Sequence, residues 1–360
     1  MRRNLIDLFC GAGGLSLGFR DAGFDPIFAA DWDQHACATY AANLGQHVRQ
    51  MDLGATEPEA LADIVRQRGS EFDVVAGGPP CQGFSIQGRG VLRDARNDLA
   101  LRFSQFAVFL RPKAIVMENV PTILGPRGRD YVACIAQEWD EAGYTVHRAI
   151  LEAAAFGVPQ QRRRAFIVGI RRELGASFAF PEPRLSPDKY VTVRDAIGDL
   201  PAPPADFSEH PRFRNHKLVA VSSANIERLR FVPEGGGRLD VPTHLQLPCH
   251  RKSNGHRHLD VFGRLWWDRP SGTITAMFDN FTRGRFGHPK EDRNITGREG
   301  ARLQSFPDDF IFLGPKKDVA RQIGNAVAPL MAKAVAEVLN ATLENAGRVS
   351  QHTRQCAFAF

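Results

Sequence analysis

Between Asn4 and Gly169, short apolar runs rich in β-branched and aromatic residues alternate with helical patterns. That alternation restricts the chain to an α/β architecture, a parallel sheet with helices on both faces. The strands it predicts are Leu5–Phe9, Pro26–Ala30, Val48–Met51, Asp73–Ala76, Ala114–Met117, Thr145–Ile150 and Ala165–Ile170. The rhythm stops in a proline-rich stretch that includes Pro181, Pro183, Pro187, Pro201, Pro203 and Pro204, which marks a boundary or hinge. From Arg212 to Arg269 the chain is basic and reads as loop-rich, with a Gly235-Gly236-Gly237 turn. Helical periodicity returns over Thr296–Leu303 and Asp318–Leu343, and the polar tail from Gly347 is expected to be poorly ordered.

The chain has 360 residues, enough for a large core and a second module. Its net charge of +6 and pI near 9.1 lean towards a polyanionic partner. Six cysteines are scattered without a C-x-x-C pair, which argues against a disulfide framework and for a reducing compartment. The N-terminus does not read as a signal peptide, and no apolar run approaches the roughly 20 residues that span a bilayer. A cytoplasmic protein with no membrane partner is the expectation.

Two segments carry chemistry. Phe9-Cys10-Gly11-Ala12-Gly13-Gly14 follows the first strand and opens a helix, so backbone can approach a nucleotide-like cofactor. Asp31, at the end of the second strand, stands where a carboxylate commonly accepts from ribose hydroxyls, and Trp32 offers a stacking face. On these residues a nicotinamide dinucleotide enzyme is a rival reading, although Ser16 holds the place of the third glycine in G-x-G-x-x-G. The second segment, Gly77-Gly78-Pro79-Pro80-Cys81-Gln82-Gly83-Phe84-Ser85, puts a cysteine in a loop just beyond a buried strand, at the sheet edge where α/β proteins bind ligands.

Phe9-x-Gly11-x-Gly13-Gly14, Pro79-Pro80-Cys81, Glu118-Asn119-Val120, Gln160-Gln161-Arg162-Arg163-Arg164 and Gln322-Ile323-Gly324-Asn325-Ala326-Val327 occur in this order. With them the chain resembles the cytosine-5 DNA methyltransferases of the bacterial restriction-modification type, over residues 4–180 and 270–340. The resemblance implies a Rossmann-like S-adenosylmethionine-dependent methyltransferase fold with a smaller target-recognition domain. It divides the chain into a catalytic core (1–180), a target-recognition region (181–272), a return to the core (273–345) and a tail (346–360). The last helix is expected to pack beside the first motif.

By the same resemblance, Cys81 is the nucleophile that adds to cytosine C6, and Glu118 is the acid at the base, with Asn119 as its brace. Arg164 contacts the target base, and Arg162 supports the catalytic loop or the acid. S-adenosylmethionine, leaving as S-adenosylhomocysteine, is expected to touch Phe9, Gly11, Gly13, Gly14 and Pro79, with Asp31 on the ribose, Trp32 on the adenine face and Asp52 near the adenine amino group. Leu99, Asn325 and Val327 complete that pocket. Asp31 replaces a longer glutamate and Ala328 a proline of the family pattern, and neither change should abolish binding. Arg298-Glu299 and Arg302–Asp308 match a further motif, read as structural.

The expected partner is double-stranded DNA with its target cytosine flipped out, and residues Gln82–Arg96 are expected to close over it. A cognate restriction endonuclease and a monomeric state are further expectations. RNA methylation and a catalytically dead DNA-binding regulator are the rival functions. His244, Cys249, His250, His256 and His258 fit no common zinc spacing, so no metal is expected.

Overall fold

A computed structural model describes residues 2–69, 71–80, 98–251 and 259–357. The chain forms two compact units, one of residues 1–152, 163–183 and 327–360, the other of 153–162 and 184–326.

In the first unit, strands β1 (Arg3–Leu8), β2 (Phe24–Asp31), β3 (Val48–Gln50), β4 (Val74–Gly77), β5 (Ala114–Asn119), β6 (Tyr144–Glu152) and β7 (Arg163–Arg171) build one sheet in the order β3-β2-β1-β4-β5-β7-β6. Helices α1 (Gly14–Asp21), α2 (Gln34–Leu44), α3 (Pro58–Arg66), α4 (Asp98–Leu110) and α5 (Arg129–Glu141) connect the strands. All six residues of β5 are buried, as expected of a central strand covered on both faces. Phe28, Phe103, Phe106, Ile115 and Trp139 belong to the core around it.

The sheet is not all parallel. β7 runs antiparallel to both β5 and β6, whereas β1 to β5 pair in parallel. The cause is the connection. A parallel neighbour needs a crossover of a dozen or more residues, usually through a helix, but residues 153–162 supply only the short 3-10 turn Ala153–Phe156. The reversal brings the start of β7 to the edge where β5 ends, with Asn119 opposite Ala165 and Glu118 opposite Phe166.

The second unit contains α6 (Val193–Ile197), α7 (Ser223–Arg230), α8 (Pro248–Arg251), α9 (Gly297–Leu303) and α10 (Lys316–Asn325), joined by long loops and isolated β-bridges. Buried polar side chains hold these loops together. Arg298, fully buried, donates to the carbonyls of Arg214, Pro307 and Phe310. Arg293 and Glu299 form a two-pronged ion pair with both contacts at 2.8 Å. Burial opposes ionisation of Glu299, but Arg293 overrides it and holds the carboxyl at about 2. Residues 184–272, most of the expected target-recognition region, share one compact unit with residues 273–326, and the chain rejoins the first unit at Val327.

The helix expected over Asp318–Leu343 is interrupted, because α11 (Pro329–Ala357) starts afresh after α10. Pro329 is its first residue, and a proline disfavours helical backbone in the residue before it. α11 continues past Gly347, where a loose tail was expected. It packs against α1 at Gly18, where a Cβ would lie 2.5 Å from the Pro329 carbonyl oxygen. The expected return of the last helix to the first motif is met there. The most apolar window of Lys316–Gly347 is 67% buried, as in a core helix.

Candidate active site

The strand order reverses between β2-β1 and β4-β5, so ligand-binding loops collect beyond the carboxyl ends of these strands. Phe9 and Gly11 adopt left-handed backbone, with φ of 59° and 52°. A Cβ on Gly11 would meet nothing within 4 Å, which leaves an open cradle above the turn. Gly13 also has positive φ, and it lies so close to Tyr40 and Leu44 that a Cβ would collide with both. It is the N-cap of α1 and offers no side-chain cap, so the first-turn N–H groups remain available to a polar ligand group.

Asp31 braces this turn from β2. Its carboxylate accepts from the Gly11 N–H at 2.8 Å and from the Asp33 N–H at 2.9 Å. Burial raises the Asp31 pKa while those N–H groups pull it back. Four lone-pair sites on a carboxylate leave capacity for a ligand hydroxyl. Trp32, beside it, is 66% exposed, an unusual setting for so large an apolar side chain. Asp52 is exposed and accepts from the Gly54 N–H, and both Asp52 and Leu99 crowd the place of a Gly54 Cβ at 3.1 Å. These two expected contacts therefore sit together.

Beyond β4, a Cβ on Gly78 would lie 3.3 Å from Glu118 Oε2 and 3.9 Å from Val327 Cγ2. Asn119 donates to the Pro79 carbonyl at 3.1 Å, so it braces the entry to the Pro-Pro-Cys loop, not Glu118 as expected from sequence. Cys81 itself, and the expected closing loop Gln82–Arg96, lie outside the described residues, as do His256 and His258.

Glu118 is 8% exposed and pairs with Arg164, whose Nε lies 3.0 Å from Oε1. Arg164 also donates to the Arg163 carbonyl at 2.7 Å. Burial lowers the Arg164 pKa, and the Glu118 charge acts against that. The pair is a diagonal neighbour contact across β5 and β7, which exists only because β7 is antiparallel.

Two further expected residues belong to the second unit. Arg162, 1% exposed, donates to the carbonyls of Ile274, Gly324 and Ala326, each at 3.0 Å. Those bonds tie three segments of the second unit. Asn325 is exposed at the end of α10. Gln160 reinforces the same junction by donating to the Leu303 carbonyl and accepting from the Ile274 N–H.

One group escaped the sequence reading. Asp7, wholly buried in β1, accepts from the Ser16 hydroxyl at 2.6 Å, and Ser16 is the residue that departs from the dinucleotide fingerprint. A carboxylate inside an otherwise apolar strand was the available signal.

Residues 3–341 match the family described as C-5 cytosine-specific DNA methylase. The chain is 40% identical over 343 residues to the Type II methyltransferase M1.HphI of Haemophilus parahaemolyticus, covering 94% of this chain and 87% of that protein. It is 34% identical over 384 residues to the Type II methyltransferase M.DdeI of Desulfomicrobium norvegicum, covering 95% and 89%. Among solved structures it is similar to a DNA modification methyltransferase encoded within a prophage of E. coli, with TM-score 0.76, 28% identity and coverage of 95% and 99%. The glycine turn, the strand-edge Glu118–Arg164 pair and a match over nearly the whole length agree, and the chain belongs to the C-5 cytosine-specific DNA methylase family.

Proposed function

We propose that this chain methylates C5 of a cytosine within a specific duplex DNA sequence, with Cys81 as nucleophile and Glu118 and Arg164 at the target base. The observation that carries the assignment of residues is the buried Glu118–Arg164 pair, held beside Gly78 at the head of the Pro79-Pro80-Cys81 loop. S-adenosylmethionine, when bound, supplies an electrophilic methyl group. The open cradle at Gly11, the uncapped α1 N-terminus and the exposed Trp32 fit a nucleoside with a polar amino-acid end. Phe9, Gly11, Gly13, Gly14, Asp31, Trp32, Asp52, Pro79, Leu99, Asn325 and Val327 are the residues proposed to hold it, and S-adenosylhomocysteine is the product.

Cytosine C5 is a poor nucleophile. Addition of the Cys81 thiolate to C6 forms an S–C6 bond and moves the C5–C6 electron pair onto the ring, where N3 takes up charge. The Glu118 carboxyl relieves that charge by a hydrogen bond or proton at N3, and Arg164 fixes the carboxyl's orientation. C5 then takes the methyl group. A water molecule takes the C5 proton, the electron pair left behind re-forms the C5–C6 double bond as the Cys81 thiolate departs, and N3 gives any proton it received back to Glu118.

The basic second unit supplies phosphate contacts and base readout, with the reading side chains between 181 and 272. A monomer that protects DNA from a cognate restriction endonuclease is the proposed setting. Bisulfite sequencing of DNA from cells expressing the protein tests the function directly. One methylated sequence context is the expected result, and fully converted DNA with labelled methyl on tRNA instead would overturn it.

A further inference from the structure

Beneath the glycine turn runs a line of polar groups that the proposed chemistry does not use. Asp7 in β1 accepts from Ser16 in α1 at 2.6 Å, Tyr40 in α2 contacts the Ser16 hydroxyl at 2.9 Å, and Tyr40 meets His47 Nε2 at 3.0 Å. Asp7 is fully buried and His47 half-buried, so the line leads from the interior towards solvent. It touches the turn directly, because Gly13 packs on the Tyr40 ring. Asp7 Oδ1 has no hydrogen-bond partner, an expensive arrangement for an ionised carboxylate.

We propose that Asp7, Ser16, Tyr40 and His47 form a proton-conducting chain beneath the methyl-donor turn, through which binding of the cationic donor expels the Asp7 proton to solvent. The proposal rests on the reading of Phe9–Gly14 as the donor site. Each hydroxyl has one hydrogen, so the chain has two orientations. With Asp7 protonated, Asp7 donates to Ser16, Ser16 to Tyr40 and Tyr40 to His47 Nε2, which leaves the imidazole proton on Nδ1. With Asp7 ionised, every bond points inward and His47 carries its proton on Nε2. Conversion of the first state to the second moves one proton along each link and releases one from His47 Nδ1 to water.

Surrounding charges favour this coupling. Burial pushes the Asp7 carboxyl up, Ser16 pulls it back and Asp31 pushes again, leaving it at about 7. From the turn after its strand Asp7 also faces Cys10, and from α2 Tyr40; burial raises both of these far enough that they stay neutral. Its strand partners at that level are Ala29 and Ala76, which carry no charge. Arg20 faces Tyr40, while Asp25 and Arg68 face His47, whose pKa burial lowers. Two acids beside the turn repel one another until a cation arrives. The sulfonium donor supplies that charge and the thioether product does not, so the pair discriminates donor from product.

Calorimetric titration of S-adenosylmethionine into the full chain, at about pH 6.5 in two buffers of different ionisation enthalpy, measures the released proton. Release approaching about one proton per donor is expected, with less for S-adenosylhomocysteine, and donor affinity should rise by up to about tenfold per pH unit below about 7. Asp7→Asn should lose this release, while the donor's own amino group contributes equally to both proteins. Ser16→Ala, which removes the bond to Asp7, should move the release to higher pH, and it serves if Asp7→Asn does not fold. Donor binding with equal proton release in the wild type and Asp7→Asn, or release indifferent to Ser16→Ala, overturns the chain. Absence of any donor binding overturns the site reading itself, and the chain with it.

Discussion

Each unit contains a buried Arg–Glu pair, and the two are built differently. Arg293 and Glu299 meet through two parallel contacts, and Glu299 also accepts from the Thr296 N–H at 2.6 Å. It closes a capping box at the start of α9. Arg164 reaches Glu118 through Nε, at a sheet edge, with Glu118 Oε2 close to the bare backbone of Gly78. A fully enclosed pair fixes loops. A pair at the mouth of a strand presents a carboxyl with a set orientation to whatever enters. Ion-pair chemistry alone therefore does not identify a site; its placement in the sheet does.

The largest effect should come from Cys81, the proposed nucleophile. Cys81→Ala is expected to lower methyl transfer by at least about 10⁴-fold while DNA binding persists, measured with labelled donor and a gel-shift assay. Glu118→Gln should reduce turnover by about 10²–10⁴-fold with little change in melting temperature. Glu299→Ala should do the reverse in kind, costing up to about 3 kcal/mol of stability by denaturant unfolding, because the buried Arg293 then keeps only the more exposed Glu291 as its counter-ion. If both substitutions cost stability equally, the distinction between the pairs fails.

Titration sharpens the contrast. Glu299, depressed to about 2, contributes stability that is complete above its ordinary value of 4.5 and is lost as pH falls towards 2. Asp7, raised from 3.8 to about 7, acts in the opposite sense, and its contribution fades as pH rises from 4 to 7. Unfolding followed by a probe in the second unit between about pH 2 and 4.5, and by one in the first unit between about pH 4 and 7, should give slopes of opposite sign. The smallest effect is at Trp32, where Trp32→Ala should weaken donor binding by a few-fold, from about 0.5–1.5 kcal/mol of lost stacking, without altering stability.

The strands and the glycine turn were legible because alternation and apolar runs report local periodicity. Sheet direction was not, since the orientation of β7 depends on what residues 153–162 cannot build. Glu118 and Arg164 were named from motifs, but their contact depends on that reversed strand. Arg162 was named from the same motif, but its bonds to carbonyls more than a hundred residues away were not legible, because no local pattern encodes such partners. Asp7 was hidden for a related reason, as a single polar residue inside a strand has no period.

The antiparallel seam between β5 and β7 also sets a tolerance for change in length. Side chains alternate faces along a strand, so a one-residue slip in this ladder would turn Arg164 away from Glu118 and invert every neighbour in β7. An insertion between Arg164 and Ile170 forces such a slip, and one within 153–162 would displace the buried Gln160 and Arg162. Evolution of new DNA specificity in this chain is thus left to lengthen the rest of the second unit, while the six-rung ladder from Ala114–Ile170 to Asn119–Ala165 keeps time for the chemistry.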